Sequence, residues 1–130
     1  MAIRSRATCT MAMLLTAATA AAAAQPTAIT CRAEFVYVCT TVCEVTPAPA
    51  EFSLDFKLKT GSYCRGSRCD DGRITVEPVS GQHDDRPYQV FSLMTAGSQE
   101  ADLAGVLAEG GKLFHASGDI GNFTGHCEAR

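Results

Sequence analysis

Tryptophan is absent from this 130-residue chain, aromatic residues make up 7% of it, and 19% of its side chains are charged. A core without indole must be filled by phenylalanine, tyrosine and aliphatic side chains, and a short chain hides a smaller share of its surface than a long one, so covalent staples are expected. After residue 24 the chain has no convincing helical period. Nor does any apolar run there approach the ~18 residues that a bilayer-crossing helix needs. No surplus of base is present either: 11 Lys and Arg stand against 14 Asp and Glu, a formal charge of −3. That balance excludes a nucleic-acid or anionic-lipid partner as the default.

The first 24 residues read as an export leader. Arg4 and Arg6 form a basic start, Ala7 to Ala20 a weakly apolar stretch, and Ala22-Ala23-Ala24 before Gln25 the small-residue pattern of signal-peptidase sites. Cys9 precedes the apolar stretch, where it cannot accept a lipid at the cleavage site. A mature chain of about 106 residues follows, one small domain over 25–130. Arg4 and Arg6 leave with the leader, so the mature acidity rises. The Ala-rich leader looks bacterial, and the expected destination is the periplasm or the medium.

Six cysteines remain, Cys31, Cys39, Cys43, Cys64, Cys69 and Cys127. An even set in a small exported domain predicts three disulfides. Cys39 with Cys43 and Cys64 with Cys69 are close enough to clip their own loops, and Cys31 with Cys127 would then tie the first strand to the last. The other reading of the two short pairs is a four-cysteine zinc site, although an oxidising compartment favours disulfides and the spacings miss C-x2-C.

Period-two alternation in short runs, broken by Gly, Pro, Asp and Ser, predicts an all-β chain of about eight strands. Ile29, Cys31, Ala33, Phe35, Tyr37 and Cys39 are expected on one face of the first strand, which Pro47-Ala48-Pro49 separates from the next. Phe52, Leu54, Phe56 and Leu58 alternate with charged and polar residues, and Thr60-Gly61-Ser62 is expected to end that run. Tyr63 to Arg65 should lead into the Gly66–Cys69 clip, with Asp70-Asp71-Gly72 as a turn and Arg73 to Glu77 as a strand. Gly81 to Arg86 reads as a solvent loop before Tyr88 to Met94. Leu103 to Ala108, Lys112 to Ser117 and Asn122 to Glu128 complete the series. Such sequential hairpins suggest an up-and-down barrel, with a two-sheet sandwich as the alternative.

A turn centred on Gly110-Gly111 sets Leu107 opposite Phe114 and Gly105 opposite Ala116. A second turn centred between Ile120 and Gly121 sets Phe114 opposite Cys127 and Ala116 opposite Gly125. Gly105, Ala116 and Gly125 then form a row of very small residues beside Phe114. That row accepts an aromatic ring from the opposite wall, Phe52, Phe56 or Tyr88, or else lines a ligand cavity. The same register places His115 opposite His126 on the outer face, where two imidazoles could hold a metal. Val106 and Leu113 lie on that side as a small apolar strip. His83 with Asp84 and Asp85 is a weaker metal grouping on the solvent loop.

The chain carries no G-x-S-x-G elbow, H-E-x-x-H pair, phosphate-binding glycine loop or EF-hand spacing, so no enzyme activity and no cofactor are expected. In plan, a leader followed by about 100 residues of short strands with cysteines near both ends, the chain resembles periplasmic inhibitors of C-type lysozyme and other small exported barrels such as the lipocalin-like ones. Thr60-Gly61-Ser62-Tyr63 approaches the inhibitors' Ser-Gly-x-x-Tyr loop but is one residue short and lacks the leading Ser. The Gly-x-Trp of lipocalins is absent. The leading expectation is a non-catalytic binding or envelope-associated protein whose partner is a small apolar ligand or an extracytoplasmic protein. Two others accompany it: an inhibitor of an extracytoplasmic hydrolase acting through Tyr63, Arg65 and Arg68, and a metal-binding protein using His115 and His126.

Overall fold

The computed structural model describes residues 26–79 and 88–130. The leader and the His83-Asp84-Asp85 loop therefore lie outside the described residues. Among the described residues eight strands follow one another: β1 (Ala28–Cys39), β2 (Cys43–Asp55), β3 (Thr60–Arg65), β4 (Arg68–Val79), β5 (Tyr88–Thr95), β6 (Leu103–Ala108), β7 (Leu113–Gly118) and β8 (Gly121–Ala129). Each pairs antiparallel with the next, and β1 pairs with β8, so the sheet closes into a barrel. The sandwich alternative is excluded, and closure removes most of the sheet edge that would otherwise template aggregation.

The seam between β1 and β8 is fastened covalently. Cys31 lies opposite Cys127 in the ladder, and the two form a disulfide across 96 residues of chain. Cys39–Cys43 pins the β1–β2 turn and Cys64–Cys69 joins facing residues beside the β3–β4 turn. All three pairings match the sequence expectation, and no cysteine of these pairs is left for zinc.

Several boundaries differ from that expectation. Pro47-Ala48-Pro49 does not interrupt the chain, because β2 continues through it, paired with β1 as far as Cys39 and Cys43. The β2–β3 turn comes at 56–59, ahead of Thr60, with the Asp55 carboxylate accepting from the Lys57 and Leu58 N–H groups and Lys59 at φ 58°. Asp70-Asp71-Gly72 is strand, since the two-residue turn is Gly66-Ser67, with Arg65 opposite Arg68. The face of β1 also switches. From Arg32 to Tyr37 β1 spends five residues where β8 spends four, His126 to Asn122, so one extra residue reverses the alternation. Val36 is consequently buried, while Phe35 and Tyr37 point outward.

The β6–β7 register is the expected one, with Gly105 opposite Ala116 and Leu107 opposite Phe114. The β7–β8 register is not. The turn is Asp119-Ile120, flanked by the Gly118–Gly121 pair, so Phe114 faces Gly125 rather than Cys127, and Ala116 faces Phe123 rather than Gly125. A two-residue slip leaves every side chain on the same face, so alternation alone could not select between these registers. Packing selects: a Cβ on Gly125 would come within 2.0 Å of the Arg32 carbonyl oxygen and 3.0 Å of the Phe114 ring, a space that no side chain can share.

Candidate functional site

The interior decides the first question about function, and it is filled. Inward residues Phe91, Gly105, Ala116 and Phe123 succeed one another around the wall, so the Gly105–Ala116 step is flanked by two rings. Phe52 enters from the far side, stacked on Phe91 at 5.1 Å between ring centroids and edge-on to Phe114 at 4.8 Å. Phe114 meets Phe123 at 6.0 Å, and Phe123 stacks on Tyr63 at 6.2 Å, which makes a continuous column of five rings. Ile29, Leu54, Ile74, Leu93, Leu103 and Leu107 pack around it, all buried. Of the three rings expected opposite the row, Phe52 is buried in the core against Phe91 and Phe114; Phe56 is only partly buried against the core, and Tyr88 is half-buried at the start of β5. Gly125 lies against the Phe114 ring, and both border the open groove on the β1–β8 side of the barrel, not an interior cavity.

Tyr63, Arg65 and Arg68 do not form a projecting contact loop. Tyr63 is fully buried, its hydroxyl donating to Asp119 Oδ1 at 3.4 Å. Arg65 lies in the mouth of the barrel, over the Tyr63 ring at 4.7 Å, with its guanidinium donating to both Asp70 and Asp119. Burial works against its charge, but Asp119 and Asp70 more than restore it and hold its pKa above the ordinary arginine value. Only Arg68 is exposed, its Nε 3.3 Å from Asp70. The inward phase of Tyr63 and Arg65 follows from a single β3 alternation with Gly61, and the tight Gly66-Ser67 turn leaves no length for a projection. On the same rim Thr95 donates its N–H and hydroxyl to Asp102, each at 2.8 Å, which holds that carboxyl below the usual carboxylate range.

Tyr63 supplies a pH signature for this mouth. Burial, and secondly the Asp119 charge, push its phenol from 10.0 to about 12. The folded state thus holds the proton more tightly than the unfolded chain. Its stabilising effect is complete below pH 10 and is lost as the pH rises towards 12, on the order of 2–3 kcal/mol in all. Titration followed at 295 nm should show a late tyrosinate step near pH 12, and Tyr63→Phe should remove it. Ionisation of all three tyrosines in one step near 10 would contradict this environment.

The two histidines are not a facing pair. His115 stands opposite Thr124 and His126 opposite Leu113, one diagonal step apart and roughly 7–8 Å between Cα atoms. His115 Nδ1 is engaged with the Tyr37 hydroxyl at 2.9 Å. Among the described residues no three His, Cys, Asp or Glu side chains converge on one point that could hold a metal ion. Val106 pairs with His115 on the outer face as expected, next to Val90.

The feature that sequence reasoning missed is the upper β1–β2 hairpin. The β2–β3 ladder stops at Ala50–Arg65, whereas the β1–β2 ladder continues to Cys39–Cys43, so residues 43–49 of β2 have no partner on the β3 side, and beyond Tyr37, the last β1 residue paired with β8, the hairpin stands alone. Phe35, Val38, Val42 and Val45 are exposed there, four of the seven exposed large apolar side chains among the described residues, the others being Leu58, Val79 and Val90. Two open grooves flank the root of the hairpin and share Arg32, Ala33 and Glu34. One, of about 790 Å³, runs along the β1–β8 seam past Phe35 and Thr124; the other, of about 450 Å³, passes Pro49 and the Cys64–Cys69 bridge. The sequence signal was Val38-Cys39-Thr40-Thr41-Val42-Cys43, a disulfide-clipped tip that is apolar on both flanks.

No protein-family description, curated protein or solved structure matches this chain.

Proposed function

We propose that this is an exported, non-catalytic binding protein that engages another extracytoplasmic protein through its outer surface. The observation that carries the reading is the column of five rings, which occupies the space where a barrel of this size would hold a small ligand. With the interior occupied, recognition falls to the outside, where four of the seven exposed large apolar residues among the described ones gather on one hairpin flanked by two grooves. Three disulfides suit an oxidising compartment, and the leader pattern supports export.

Calorimetric titration of the oxidised mature chain with decanoate and with anilinonaphthalene sulfonate tests this directly. Neither probe should give saturable binding, while gel filtration of the chain with its host's extracytoplasmic extract should shift it into a complex of fixed stoichiometry. Tight one-to-one uptake of either apolar probe would return the reading to a ligand carrier.

A further inference from the structure

Resting on this outer-surface binding reading, we propose that the β1–β2 hairpin is the binding element, and that its tip inserts into an apolar cleft rimmed by cationic side chains on a basic partner protein.

Geometry supplies the first reason. The hairpin extends past the end of β3, and the Cys39–Cys43 bond closes its tip over Thr40, Thr41 and Val42. Val42 is 72% exposed and Val45 66%, the former at the tip and the latter opposite Tyr37 on the outer face. An apolar tip closed by a crosslink, on a stem whose β1 strand is paired with β8 as far as Tyr37, loses little conformational freedom on docking, which is how rigid binding loops gain affinity.

The edge of the hairpin is protected against a different use. The Phe56 N–H, just beyond β2, donates to the Thr27 carbonyl on the β1 side, and β2 keeps its phase across the register shift opposite Ala33–Phe35, with Ala50 buried and Pro47 exposed three residues away, so the odd-numbered N–H groups of β2 face away from β1. Beyond β3, positions 45, 47 and 49 would present those groups to solvent. Pro47 and Pro49 lack them, leaving one donor on the free edge. Addition of a partner strand is thereby blocked, whereas the apolar tip and outer face stay open.

Charge identifies the partner's chemistry. Between Arg32 and Lys57 the sequence has no lysine or arginine, and its ionisable acids are Glu34, Glu44, Glu51 and Asp55. Arg32 at the root is already paired with Glu51 at 2.7 Å. The tip is therefore apolar with acid alongside it, Glu44 next to Cys43 and Glu34 next to Phe35. Its electrostatic complement is an apolar floor with a basic rim.

The test uses the full mature chain carrying the photocrosslinker p-benzoylphenylalanine at position 42, at 45, or at the control positions 58 and 68. Leu58 and Arg68 are equally exposed but lie off the hairpin. Irradiation in the extracytoplasmic extract should yield one adduct from positions 42 and 45, and its protein component should have an isoelectric point well above neutrality. With that component purified, Val42→Asp and Val45→Asp should each weaken binding roughly tenfold or more, Leu58→Asp should leave it unchanged, and added salt should weaken it further. Equal crosslinking from 58 or 68, or unchanged affinity of both valine variants, would overturn the hairpin assignment while leaving a binding protein. An acidic adduct partner would overturn the charge complement. Absence of any adduct from all four positions would overturn the binding reading itself.

Discussion

Replacing Cys31 and Cys127 together with alanine is expected to cost about 4–5 kcal/mol of unfolding free energy in the loop-closure account, and roughly 20 °C in Tm. The bond spans 96 residues and joins the facing residues at which the barrel closes, so its loss frees nearly the whole unfolded chain. Cys39→Ala with Cys43→Ala opens a loop of separation 4, for which the same account gives only about 2 kcal/mol. The contrast is the informative part. Urea unfolding followed by far-UV circular dichroism measures both, and equal losses from the two double variants would show that ring closure at the seam is not what the disulfide contributes.

Phe52→Ala is expected to cost about 3–5 kcal/mol. Phe52 is 1% exposed and touches two other rings, so its removal breaks the aromatic column near its middle. The space left behind is lined by Phe91, Phe114 and aliphatic side chains, with no polar group to hold water, and should take up benzene that the wild type excludes. Leu58→Ala, on the exposed β2–β3 turn, should change stability by less than about 0.5 kcal/mol. A Phe52→Ala protein of near wild-type stability that binds no benzene would mean that the interior is not packed as described.

How much of this was legible beforehand depended on which physical rule governed each residue. Alternation placed Phe52, Leu54 and Leu107 correctly, because a half-buried strand records its faces at period two. Cysteine spacing led to the disulfide pairs, since short separations constrain pairing. The β7–β8 register was hidden, because a slip of two residues preserves the pattern; the Phe114 ring lying over Gly125 distinguishes the alternatives, and that contact is tertiary. The switch of β1 between Ala33 and Val36 was hidden for a related reason, an extra residue relative to β8 that leaves no mark in the β1 composition. Tyr63 and Arg65 read as loop contacts because they stand beside the Cys64–Cys69 clip, yet strand phase turned both inward, where Asp119 and Asp70 meet them. The prolines at 47 and 49 were read as a break; on a free edge, where no N–H is needed, they are compatible with strand. That same misreading hid the length of the β1–β2 hairpin.

The most direct test of a filled barrel that binds from its outside is intact mass, native and denatured, on protein recovered from the periplasm or medium of its own host. Denatured, the chain should begin at Gln25 and be lighter by six hydrogens than its reduced form, as three disulfides require. Native, its mass should equal that of the bare chain or of a stoichiometric complex with another protein. A native mass raised by one small organic molecule would contradict the filled interior and, with it, the assignment of recognition to the outer surface.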